Sequence, residues 1–99
     1  MSVLISLAAL PLAFADPTLE QKAFCGHVYQ NFAPIQAEVS DREKYGVLAM
    51  GLFMAGLGVD NFSAINGRAK AAFEKARVKD GKDMLPKLVA ECDKIDFGD

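Results

Sequence analysis

The sequence predicts an all-α protein, a small bundle of about four helices around a central apolar helix with one long-range disulfide. Residues 46–58, GVLAMGLFMAGLG, are apolar on every side of a helical projection, as expected of a helix enclosed by others. In the flanking segments apolar residues recur at spacings of three and four, and nothing alternates with period two between turn residues. The two cysteines, Cys25 and Cys92, stand near opposite ends of a chain that opens with an export leader.

A length of 99 residues allows one domain, and 52% hydrophobic against 24% charged residues supplies enough apolar material to exclude a disordered tail. The formal net charge of −2 argues against nucleic-acid binding, which needs a basic stripe to neutralise phosphates. Residues 1–15, MSVLISLAALPLAFA, carry no charge, contain an apolar run and end in the small-x-small pattern of Ala13-Phe14-Ala15, so they read as a signal peptide. No Lys or Arg precedes the run, which departs from the usual pattern. Crossing a bilayer takes about 20 apolar residues, so no membrane span is expected after processing. The domain is then residues 16–99, destined for the periplasm or the extracellular space.

Oxidising compartments favour disulfides, and two thiols allow one intramolecular pairing. Cys25–Cys92 is the expected bond, with two buried thiols or an intermolecular bridge as the alternatives.

Asp16-Pro17 suits a helix start, because Asp accepts from orphan amides and proline loses nothing at the first position. The first helix should run to about residue 32, with Phe24, Cys25, Val28, Phe32 and Ile35 along one stripe. Pro34 disfavours the helical region at Ala33 and should end or kink it. Ser40 and Glu43 fit a capping box, so the second helix is expected over residues 41 to about 57, buried at the centre. Its small residues fall on two sides, Gly46, Ala49 and Gly56 on one, Gly51 and Ala55 on the other, where neighbouring helices could approach closely. Asp60 can cap a third helix along Phe62, Ile65, Ala69, Ala72, Phe73 and Ala76, with Asn66-Gly67 as a potential break. Lys79-Asp80-Gly81-Lys82 should end it. Asp83 can start a fourth helix, with Leu85, Leu88, Val89, Cys92 and Ile95 inward.

Val47, Met50, Met54 and Leu57 form a larger, softer third side of the second helix. Core packing is the plain reading of that side, and an apolar groove for a ligand or partner is the other. Residues 68–87 hold seven cations, among them Arg68, Lys70, Lys75, Arg77 and Lys79, against three anions, a local +4. They read first as a solvated helix face and second as a docking face for an acidic partner. His27, the single histidine, lies two residues from Cys25, which sends the two side chains to different helix faces; it reads as an ordinary, partly exposed residue. Too few Cys and His are present for a zinc site, and the glycines of residues 51–58 lack the Lys-Ser/Thr or preceding strand of nucleotide loops. Hence no catalytic residue, metal ligand or cofactor is expected.

In layout, through the leader, Cys25, Cys92 and the helical stripes, the chain resembles small exported helical proteins. Examples are the acid-activated periplasmic chaperones of the HdeA type and the periplasmic immunity proteins that neutralise secretion-system effectors. The likeness is one of plan and carries over no functional residue. The expectation is a non-catalytic exported protein that binds a protein partner, of the immunity or inhibitor kind. A carrier or acid-activated chaperone for apolar ligands or unfolded chains is the alternative.

Overall fold

The computed structural model describes residues 17–97; the expected leader and Asp16 lie outside them. The order is α1 (Leu19–Phe32), a short 3-10 turn (Ala33–Ile35), α2 (Val39–Met54), α3 (Phe62–Arg77), strands β1 (Val78–Lys79) and β2 (Lys82–Asp83), and α4 (Leu85–Asp93). The bundle of four helices is as the sequence predicts. Its centre is not.

Instead of α2, the enclosed helix is α1, against which α2, α3 and α4 each pack in preference to one another. Ala23, Phe24, Cys25 and Val28 are buried almost completely, together with Leu85 and Cys92 of α4 and Ala69 and Phe73 of α3. Cys25 and Cys92 are bonded, their Cα atoms 5.8 Å apart, which ties α1 to α4 as expected. Where α2 crosses α1, Gly26 makes room for a ring: a Cβ there would stand 2.8 Å from Phe53 Cε1.

Several boundaries differ from the sequence reading. Thr18, not Asp16, caps α1, in a capping box closed by Gln21: the Gln21 amide donates to Thr18 Oγ1 at 3.1 Å and the Thr18 amide to Gln21 Oε1 at 2.7 Å. The expected box at Ser40 is absent because α2 begins earlier, after Glu38, without a side-chain cap. Ile35 is exposed, since the 3-10 turn rotates it off the α1 stripe. Asn61, in the left-handed region at φ 58°, precedes α3, and that helix runs unbroken through Asn66-Gly67. Asp80-Gly81, both at positive φ, turn a two-residue antiparallel hairpin where only a helix end was expected; Asp-Gly is a favoured pair for this tight turn. Asp83 still serves the start of α4, accepting from the Leu85 amide at 3.0 Å.

Candidate functional site

The four apolar residues singled out lie on the surface, Val47, Met50 and Met54 on α2 and Leu57 in the turn after it, because α2 ends at Met54 and not near residue 57 as expected. Val47 is 67% exposed, Met50 62%, Met54 55% and Leu57 73%, so core packing of this side is ruled out. Burial explains the geometry. Ala49 and Leu52 are the buried residues of α2, with Tyr45 and Phe53 partly buried beside them. At 100° per residue, Val47, Gly51 and Met54 make the ridge opposite that contact. Met50 flanks the ridge on one edge and Leu48 on the other; Ala55 and Leu57 follow the end of α2, in the turn that Gly58 closes at φ 79°.

Both flanks are concave. Beyond the Met50 edge lies a groove of about 380 Å³ lined by Gln30, Ala49, Met50, Phe53, Met54 and Leu57. Beyond the Leu48 edge a cleft of about 490 Å³ runs between α2 and the segment after α4, with Leu48, Leu52, Ile95 and Phe97 on its walls and Lys22 and Asp93 among its polar lining. Sequence reasoning missed Leu48, Gln30 and Phe97, and it assigned Gly51 and Ala55 to a side approached by a neighbouring helix, whereas both are exposed and no atom comes within 4 Å of a Cβ at Gly51.

The basic residues are not gathered in the same way. At helical spacing Arg68 and Lys75 share one side of α3, and Lys70 and Arg77 nearly the opposite one. Arg68 pairs with Glu20 at 3.2 Å, while Arg77 reaches Asn31 at 3.3 Å and Asp83 at 3.5 Å. Lys70, Lys75 and Lys79 are exposed. Exposed pairs such as Arg68–Glu20 are worth at most about 1 kcal/mol.

The polar residues of α1 serve the fold. His27 is buried, not partly exposed: its Nε2 lies 2.8 Å from Asn66 Oδ1, its ring meets Phe53 edge-on at 4.9 Å and stacks on Phe73 at 6.4 Å. The Tyr29 hydroxyl donates to Asp93 Oδ1 at 2.6 Å, and its ring stacks on Tyr45 at 5.7 Å. Burial, helped by the Asp93 carboxylate, raises the Tyr29 pKa well above the ordinary tyrosine value. Among the described residues no group of three or more His, Cys, Asp or Glu could hold a metal ion, and no helix is long and apolar enough to cross a membrane. What the arrangement offers is an apolar helical ridge between two grooves. No family model matches the chain, and no curated protein or solved structure matches it significantly.

Proposed function

We propose that the chain is an exported, non-catalytic protein that binds a protein partner through the outer face of α2. The observation that carries this reading is the exposure of Val47, Met50 and Met54 along the face of α2 turned away from α1, and of Leu57 just beyond it. Contiguous apolar surface of this kind marks interaction sites on proteins of this size, and methionine adapts well to a partner's shape. The Cys25–Cys92 disulfide supports export, because reducing compartments disfavour such bonds. The divided cations of α3 make the basic face the weaker candidate.

A second reading, a carrier for apolar ligands, is favoured by the cleft of about 490 Å³ beside Leu48 and Phe97. A photoreactive side chain at Met50, compared with one at Lys70, separates the two readings in cells that export the chain. The expected result is a protein adduct from position 50 only, with capture abolished by Met50→Lys and Met54→Lys. Capture indifferent to those substitutions, or stoichiometric uptake of an apolar dye by the native chain with no protein adduct, overturns the reading.

A further inference from the structure

Lys70, Glu74 and Arg77 follow one another at steps of four and three along α3, so they share one side of that helix. With His27 and Gln30 of α1 they line a cavity of about 400 Å³, to which buried Phe73 and exposed Val78 add apolar wall. Opposite charges at these helical spacings ordinarily attract each other. Here Lys70 and Glu74 make no ion pair or hydrogen bond with any described residue. Arg77 is turned away from Glu74: its Nη1 donates to Asn31 Oδ1 at 3.3 Å and its Nε lies 3.5 Å from Asp83 Oδ1, which fixes the guanidinium and leaves Nη2 unengaged.

The buried polar side chain of this cavity is His27. Its Nε2 faces Asn66 Oδ1 at 2.8 Å, and an amide oxygen only accepts, so Nε2 carries the proton and Nδ1 is a bare acceptor. Nδ1 has no hydrogen-bond partner among the described residues. A buried side chain with an unused acceptor gains from a ligand that brings a donor. Two acceptors, His27 Nδ1 and the Glu74 carboxylate, therefore line one cavity with three donors, the Gln30 amide, the Lys70 ammonium and Arg77 Nη2.

We propose that this cavity binds a free α-amino acid with an apolar side chain. The site is separate from the outer face of α2 and goes beyond the protein-binding reading. The ligand's ammonium donates to Glu74 and to His27 Nδ1, its carboxylate accepts from Lys70, Arg77 Nη2 and Gln30, and its side chain lies on Phe73 and Val78. Charge decides for a zwitterion over a simple anion or cation: Lys70 and Arg77 are balanced by Glu74 and by Asp83, the partner of Arg77, so neither sign is in excess. Each end of the ligand then meets a charged group of opposite sign that has hydrogen-bonding capacity to spare. A ligand of so few atoms in a cavity open to solvent binds modestly, with a Kd on the order of 0.1 mM.

Titration of the disulfide-bonded chain with L-leucine, read by calorimetry and by the ring resonances of His27, the single histidine, tests the proposal. Saturable binding that moves the His27 signals is expected. N-acetyl-L-leucine, which lacks the ammonium, and L-leucinamide, which lacks the carboxylate, should each bind about tenfold more weakly or worse. Glu74→Gln, at an exposed position and expected to leave the unfolding midpoint in place, should bind L-leucine and N-acetyl-L-leucine alike, because it lacks the group that recognises the ammonium. Lys70→Met should weaken L-leucine about tenfold. No binding of L-leucine up to about 10 mM, equal binding of the acetylated compound by the parent chain, or binding that shifts the cleft beside Leu48 and Phe97 and leaves His27 unmoved overturns the proposal. Any of these would leave Met50-dependent capture of a protein partner untouched, since Met50 does not line this cavity.

Discussion

Gly26 and Gly51 both lie inside helices, yet a methyl group should act on them in opposite directions. At Gly26 the added Cβ would stand 2.8 Å from the Phe53 ring, and that ring is itself wedged against His27 at 4.9 Å. Overpacking of this sort costs about 1–3 kcal/mol, against a helix gain of about 1 kcal/mol. Gly26→Ala should therefore lower stability by about 1 kcal/mol, and Gly51→Ala, with open space, should raise it by about 0.5–1 kcal/mol. Urea titrations of both variants check the pair; shifts of the same sign would mean that the α1–α2 crossing is looser than described. Tyr29 gives a second prediction at this scale. Its pKa is raised in the folded chain by burial and Asp93, while in the unfolded chain it deprotonates near pH 10. The stabilisation is thus complete below about pH 10 and is lost as the pH rises above it. A melting-temperature scan from pH 8 to 11.5 should fall less steeply above pH 10 for Tyr29→Phe than for the parent chain.

Among the elements, the starts of α1 and α2 show which local signals prevail. Thr18 and Gln21 satisfy two amides reciprocally, so Thr18→Ala should cost about 1 kcal/mol. Ser40 sits inside α2 without a capping bond, so Ser40→Ala should fall within about 0.5 kcal/mol of neutral, and thermal melts of the two variants compare them directly. The amphipathic stripes of α3 and α4 were legible because each helix has one neighbour side, where Phe73 and Ala76, or Leu85, Leu88 and Cys92, are buried as a local pattern predicts. The places of α1 and α2 were not legible, for a reason that lies far along the chain. Gln21, His27, Tyr29 and Asn31 make α1 look solvated, yet His27 finds Asn66, Tyr29 finds Asp93 and Asn31 finds Arg77, partners 39 to 64 residues away. Polar groups matched in this way can be buried at little cost, and periodicity does not see the match. With α1 enclosed, the apolar α2 is displaced to the outside, so the same residues that predicted a core helix form the candidate site. That the third side would be soft and methionine-bearing was legible; that it would face solvent was not.

In the whole molecule three helices pack on one, and α4 is held mainly by its contact with α1. Two bonds secure it there: the Cys25–Cys92 disulfide and, one turn of α1 further on, the Tyr29–Asp93 hydrogen bond. The disulfide closes a separation of 67 residues, for which chain entropy gives about 4 kcal/mol. A small domain has a total stability of only about 5–15 kcal/mol, so the bond is a large part of it. α2 and α3 reach α1 through their own apolar and ring contacts, including Gly26–Phe53 and Phe24–Phe73, which the disulfide does not touch. Reduction should then act unevenly. The unfolding free energy should fall by about 4 kcal/mol, and amide exchange should rise first across α4 while α1–α3 keep more of their protection. Hydrogen exchange of oxidised and reduced chain, read helix by helix, distinguishes this from uniform loosening, which would show that α4 is integral to the core and not an element clamped onto it. Because α4 and the following Phe97 form one wall of the cleft beside Leu48, its release should also widen that cleft and raise apolar-dye binding, while the Val47–Met54 ridge keeps its shape.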